Sequence, residues 1–185
     1  MTIKFQWVIY LIIDVFLFII LIFTKILMPR QMSDKKIDIL YVDDEENNLI
    51  SFKATFRLKY NVSIAVSAHD AMKILETKPV EIIITDQRMP NMTGIEFLEK
   101  VIEKYPEPIR ILLTGYADMN AVIDAVNKGK IYHYLSKPWS EKELEETIKK
   151  AFEVYQANIE IKEMNGKLAV SNDQLEFLLR QKLLS

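Results

Sequence analysis

The chain has no cysteine. Disulfides, thiolate metal sites and thiol nucleophiles are therefore all excluded. Its only histidines are His69 and His133, which argues against a histidine-built metal centre. His69 falls in the first turn of an expected helix and His133 in an alternating strand, so each reads as a solvated or half-exposed filler. There is no excess of positive charge either. The formal net charge is −2, which speaks against nucleic acid as a partner. The charge is uneven, with residues 1–36 at net +3 and the remainder near −5. Half of the residues are hydrophobic, enough for a real core.

The stretch Glu81-Ile82-Ile83-Ile84-Thr85-Asp86-Gln87-Arg88-Met89-Pro90 organises the chain. An unbroken run of residues with high strand propensity reads as a strand buried on both faces, as in a parallel sheet. It ends at Asp86, and Pro90 and Asn91 force a turn just beyond. Open α/β sheets place their ligands at the carboxyl ends of their strands, so Asp86 is expected to be the chemical centre.

Phe5 to Met28 is almost wholly apolar. As a helix it would be about 36 Å long at roughly 1.5 Å per residue, enough for a hydrocarbon core of about 30 Å. Lys25, Arg30, Lys35 and Lys36 follow or close it against Lys4 at its start. The expectation is a transmembrane anchor over 5–28 and a linker over 29–36, with the main domain on the cytoplasmic side of the membrane. Asp14 would then be paired, protonated or a sensing group. A competing reading begins translation at Met32 and leaves the protein cytoplasmic.

Beyond this, strand-like runs at 37–42, 62–66, 82–86, 109–114 and 131–135 alternate with five amphipathic segments. Leu49, Phe52, Phe56 and Leu58 form the first helical stripe. Ser67/Asp70, Thr93/Glu96 and Ser140/Glu143 resemble helix-starting capping boxes, Asp118 caps the fourth helix, and Gly129 stops it. The fold class is α/β, a doubly wound five-stranded parallel sheet with right-handed crossovers. From Ser140 to Leu184 there is no proline, and the one glycine is Gly166. Ile161, Met164, Leu168, Leu175 and Leu178 recur at heptad-like spacing, so residues 154–185 are expected to form a coiled-coil tail that pairs with a copy of itself or a partner. Folding back onto its own domain is the alternative.

Four strand ends carry suggestive side chains: Asp43-Asp44, Asp86, Thr114 and Lys137. A parallel sheet brings them to one rim. Clustered carboxylates raise one another's proton affinity and stay ionised only beside a cation. Oxygen donors without Cys or His suit a hard divalent ion, foremost Mg²⁺. With Lys137 as a fixed positive charge, Asp86 could serve as a nucleophile toward a phosphoryl group, with the Thr114 hydroxyl as a donor and Gly115 leaving room.

In Val42-Asp43-Asp44-Glu45, Thr85-Asp86-Gln87-Arg88-Met89-Pro90, Leu113-Thr114-Gly115 and Tyr134-Leu135-Ser136-Lys137-Pro138-Trp139, the chain closely resembles the receiver domain of bacterial two-component response regulators, over residues 37–153. The resemblance implies that Asp86 accepts a phosphoryl group from a sensor histidine kinase or phosphotransfer protein. It implies Mg²⁺ held by Asp43, Asp44, Asp86 and the backbone carbonyl of Arg88. Thr114 and Tyr134 would be the switch pair, reshaping the face of the fourth helix, fifth strand and fifth helix for a downstream protein effector. Arg88 and Tyr116, flanking the path of attacking water, suggest a long-lived phosphoryl-aspartate. The expected class is a phosphoacceptor signalling protein rather than an enzyme, homodimeric, without a DNA-binding output domain. Two rivals remain open: an aspartyl-nucleophile phosphohydrolase of the haloacid-dehalogenase type, and a membrane-tethered coiled-coil scaffold.

Overall fold

The computed structural model describes residues 35–115 and 119–183. Five strands form one parallel sheet: β1 Asp38–Val42, β2 Asn61–Ala65, β3 Ile82–Asp86, β4 Ile109–Thr114 and β5 His133–Ser136. Their spatial order is β2-β1-β3-β4-β5. The helices between and after them are α1 Glu46–Phe56, α2 Ala68–Thr77, α3 Gly94–Lys104, α4 Met119–Asn127 and α5 Glu141–Leu183. Every residue of β1 and β3 is buried, which is why these strands read as continuous rather than alternating apolar runs.

Strand alternation divides the core into two layers. Ile39 and Tyr41, Ile82 and Ile84, Ile111 and Leu113, and Leu135 face α1 and α5, where Phe52, Phe56, Leu144 and Ile148 meet them. Leu40 and Val42, Ile83, and Leu112 face α2, α3 and α4, where Ala71, Leu75, Phe97, Leu98 and Val122 close the opposite side. Phe52 is fully buried and stacks on Tyr41 with ring centroids 4.1 Å apart. Aromatic burial of this kind contributes roughly 1.5–3 kcal/mol per side chain.

The helix starts follow the expected chemistry. Ser67 accepts from the Asp70 N–H, Thr93 and Glu96 form a complete capping box, and Ser140 accepts from the Glu143 N–H. Gly129 ends α4 with φ of 69°, a left-handed conformation that glycine adopts without penalty. β1, β2 and the end of β5 differ from expectation by one residue, and two boundaries shift further. β5 starts at His133 rather than Ile131, and α1 ends at Phe56, so Leu58 leaves the stripe and is 74% exposed. The cap expected at Asp118 lies outside the described residues.

The transmembrane expectation is corrected. Among the described residues no helix is long and apolar enough to cross a membrane, so the placement at the cytoplasmic membrane falls with it. α5 has the length, at 43 residues, but charged side chains recur along it from Glu141 to Lys182. Residues 5–28, on which the anchor was placed, lie outside the described residues. The tail expected over 154–185 is, as far as Leu183, the unbroken continuation of α5, and every residue from Glu160 to Lys182 is exposed.

Candidate functional site

Parallel pairing brings four strand ends to one rim. Val42 pairs with Thr85, Asp86 with Leu113, and Thr114 with Ser136. Asp43, Asp86 and Lys137 are therefore close in space although 94 residues separate the first from the last. The Lys137 ammonium lies 3.1 Å from Asp43 Oδ2 and makes a second ion pair with Asp86 Oδ1. Asp43 and Asp86 are both buried, and like carboxylates in that position repel unless a cation stands between them. Burial alone would push the Lys137 ammonium down; the two carboxylates outweigh it and hold its pKa above the ordinary lysine value.

Asp43 is held from every side. Its Oδ1 accepts from the Glu45 N–H at 3.0 Å and from Asn48 Nδ2 at 3.0 Å, and its Oδ2 accepts from the Tyr41 hydroxyl at 2.8 Å. Burial works against its charge, yet these donors prevail and its pKa lies below the ordinary aspartate value. The Tyr41 hydroxyl is pushed far up, first by burial and then by Asp43 itself, so it stays a donor. Tyr41 and Asn48 were not singled out from the sequence. The available signal was spacing: Tyr41 shares a strand face with Asp43, and Asn48 sits in the first turn of the helix that follows.

Tyr41→Phe removes that hydroxyl and leaves a buried carboxylate short of a donor, an expected loss of about 1–2 kcal/mol at pH 7. Because Asp43 is depressed in the folded state, its contribution is complete above the ordinary aspartate value and is lost as pH falls through the folded one. The variant's deficit in urea denaturation should therefore be largest at neutral pH and shrink toward pH 3.

Asp86 is fixed by its own loop, with Arg88 N–H donating to Oδ2 at 2.6 Å. The Gln87 carbonyl accepts from the Gly94 N–H at 3.0 Å, and its side-chain Oε1 from the Ile95 N–H at 3.2 Å, tying the loop to the start of α3. Asn91 turns the chain at φ 64°. Gly94 is pressed against this turn: a Cβ there would lie 2.3 Å from the Asp86 carbonyl oxygen. Gly94 too was missed, since a close approach between distant segments leaves no local pattern.

Thr114 is fully buried at the end of β4, its hydroxyl donating to the Gly115 carbonyl at 2.9 Å. Tyr134, half-buried on β5, packs against the α2–α4 layer, as strand parity requires for a residue paired with Leu112. Arg88 is exposed, and its guanidinium lies over Gly115, where an added Cβ would stand 3.0 Å from Nη2. Tyr116 lies outside the described residues. Trp139 and Pro138 join Tyr41, Asn48, Ser51 and Lys137 around a cleft of about 440 Å³ opening beside the ion pairs.

The metal expectation meets a mixed result. Among the described residues no three acidic or histidine side chains converge closely enough to enclose an ion. Asp44 is exposed, and Lys137 joins Asp43 to Asp86. In kind, however, the residues fit: carboxylates at 43, 44 and 86 and the Arg88 carbonyl are all hard oxygen donors suited to a small divalent cation.

A parallel sheet with an acid pair and a lysine at its carboxyl rim defines a flavodoxin-like receiver fold. The profile of the response regulator receiver domain matches residues 39–149, and the chain belongs to that family. It is 37% identical over 154 residues to the hydrogenase transcriptional regulatory protein HoxA of Cupriavidus necator, covering 83% of this chain and 32% of that protein. It is 33% identical over 117 residues to the transcriptional regulatory protein ZraR of Salmonella typhimurium, covering 63% and 26%. The chain thus spans a third or less of the length of these curated relatives. Among solved structures it resembles the signal receiver domain of an HD domain-containing protein from Pseudomonas fluorescens, with TM-score 0.63, 33% identity, and 66% and 99% of the two chains covered. A CheY-like response regulator receiver domain protein from Methanospirillum hungatei gives TM-score 0.63, 30% identity, and 67% and 99%.

Proposed function

We propose that this receiver is a phosphoacceptor switch in which Asp86 takes a phosphoryl group from a phosphohistidine of a sensor kinase or phosphotransfer protein. The observation that carries this reading is the Lys137 ammonium paired with both Asp43 and Asp86 at the rim. An Asp86 carboxylate oxygen attacks phosphorus, the phosphorus–nitrogen bond breaks, and the imidazole nitrogen takes back a proton. Lys137 offsets charge on the transferred oxygens. Tyr41, Asn48 and the Glu45 N–H keep Asp43 ionised, and the cleft beside Lys137 gives the donor access. Mg²⁺, held by Asp43, Asp44, Asp86 and the Arg88 carbonyl, would supply further neutralisation of phosphoryl charge.

The added group gives the Thr114 hydroxyl a new acceptor. Tyr134 then moves inward behind it, and the face formed by α4, β5 and α5 changes for a protein effector. The relatives HoxA and ZraR are named as transcriptional regulators, which suggests that the effector acts in gene control. The Arg88 guanidinium over Gly115 obstructs water and favours a slow loss of phosphate. The phosphohydrolase alternative fits less well, because it needs its nucleophile after the first strand and Asp86 closes the third.

Incubation with acetyl phosphate and Mg²⁺, followed by intact mass measurement, tests this. One phosphoryl group should be gained, persist beyond minutes, and be absent from Asp86→Asn and from samples treated with a chelator. No gain would overturn the assignment, and a lifetime of seconds would overturn the role given to Arg88.

A further inference from the structure

Leu144, Ile148 and Ala151 pack α5 onto the sheet, and Lys162 pairs with Glu107 at 2.5 Å where the helix passes the loop before β4. The helix continues to Leu183 with its apolar side chains in water: Ile161, Met164, Leu168, Leu175 and Leu178 are each 52–60% exposed. A helix in water draws most of its stability from packing an apolar face, and this length has no such packing among the described residues.

The spacing of these residues is three and four in alternation, with Ser171 completing the series, so they form the a and d positions of successive heptads. Positions beside such a seam decide whether two identical helices attract or repel. Here they are Asn158, Asn165, Asn172 and Leu179 on one flank, and Glu160, Lys167, Gln174 and Gln181 on the other. Two aligned copies would set Glu160 and Lys167 opposite asparagines, so no like charges oppose across the seam from Ile161 to Leu178; the next a position is Lys182, where two ammonium groups would meet, and the seam ends before it. Lys162, Glu163, Asp173, Glu176 and Arg180 all fall on the outer surface, as does Gly166, where the lack of a side chain costs no seam contact.

We propose that residues 161–178 of α5 form a parallel, two-stranded coiled coil with a second copy of this chain. The occupant follows from the flanks, which set no like charges against each other when the two helices are identical and in register. The orientation follows from Ser171. In parallel register its hydroxyl meets its own copy and can exchange a hydrogen bond, whereas antiparallel register sets it against Leu168, where a hydroxyl gains no partner. Val170 and Phe177 remain outside this seam. The two receivers then sit at the same end of the coil, independently of whether Asp86 is modified.

The absence of cysteine makes the test direct. In the full chain, Ser171→Cys puts a thiol in the seam and Asp173→Cys puts one on the outer surface. Facing seam positions lie within disulfide reach, so mild oxidation should cross-link Ser171→Cys roughly tenfold more than Asp173→Cys. Adding Leu168→Asp and Leu175→Asp, both remote from the folded domain, should abolish that excess. Equal cross-linking of the two thiols, or an excess that survives the aspartates, overturns the seam. No cross-link at 171 alone, with one in a mixture of Leu168→Cys and Ser171→Cys chains, overturns the parallel register.

Discussion

Gly94→Ala is expected to lower the stability of the domain by about 3 kcal/mol and to disturb Asp86 with it. Residue 94 opens α3 with an ordinary helical backbone, so the harm is steric and not conformational. The new methyl would stand 2.3 Å from the Asp86 carbonyl oxygen and 2.8 Å from Leu112 Cδ1. The carbonyl belongs to a strand paired on both sides and cannot retreat cheaply. Either α3 lifts off the sheet, losing contacts of Phe97 and Leu98, or the strand end carrying the acceptor carboxylate moves. Urea denaturation reads the first effect, and the rate of phosphoryl uptake from acetyl phosphate reads both. Gly166→Ala is the control. Nothing lies within 4 Å of a Cβ at that position, and alanine is favoured over glycine inside a helix by roughly 0.5–1 kcal/mol. A Gly94→Ala protein as stable as its parent would mean that α3 is not seated against the Asp86 turn.

Lys137→Met is expected to do comparable damage by an electrostatic route. It leaves Asp43 and Asp86 buried without their shared cation. Removing one partner of a buried ion pair costs about 3–5 kcal/mol, and the partial exposure of Lys137, 29%, places this case near the lower end. The loss should be greatest at neutral pH and diminish as pH falls through the depressed pKa of Asp43, so the difference between the variant's and the parent's thermal melts should be smaller at pH 3 than at pH 7. Phosphoryl uptake should fall roughly a hundredfold, as when a fixed charge aimed at developing negative charge is removed. A neutral-pH melt indistinguishable from the parent would show that solvent, and not the ammonium, offsets the carboxylates.

The sheet and its acid rim were legible in the sequence because they depend on local signals. Continuous apolar runs mark strands buried on both faces, Ser67, Thr93 and Ser140 mark helix starts, and each polar rim residue directly follows such a run. What escaped depends on approach between distant segments. The Tyr41 hydroxyl and Asn48 reach Asp43 only once β1 and α1 are set in three dimensions, and Gly94 reveals its purpose only against the Asp86 carbonyl. Leu58 does not belong to the stripe: it stands two residues after Phe56, off the helical spacing, and the helix ends between them. α5 passes through the expected domain boundary without interruption, since no proline or glycine there forces a break. The apolar run at 5–28 invited a membrane assignment through its length and flanking cations; it lies outside the described residues, and no helix among these is long and apolar enough to cross a membrane.

Strand parity has one more effect. Tyr134 and Leu135 are consecutive, yet one side chain lies with α2, α3 and α4 and the other with α1 and α5. Asp43, Asp86 and Lys137 share the parity of Leu135, while Thr114 shares that of Tyr134. A fluorine label on Tyr134 and another on Trp139 would therefore listen on opposite walls of the molecule. Chemistry at a single carboxylate could be heard on both, with separate timing.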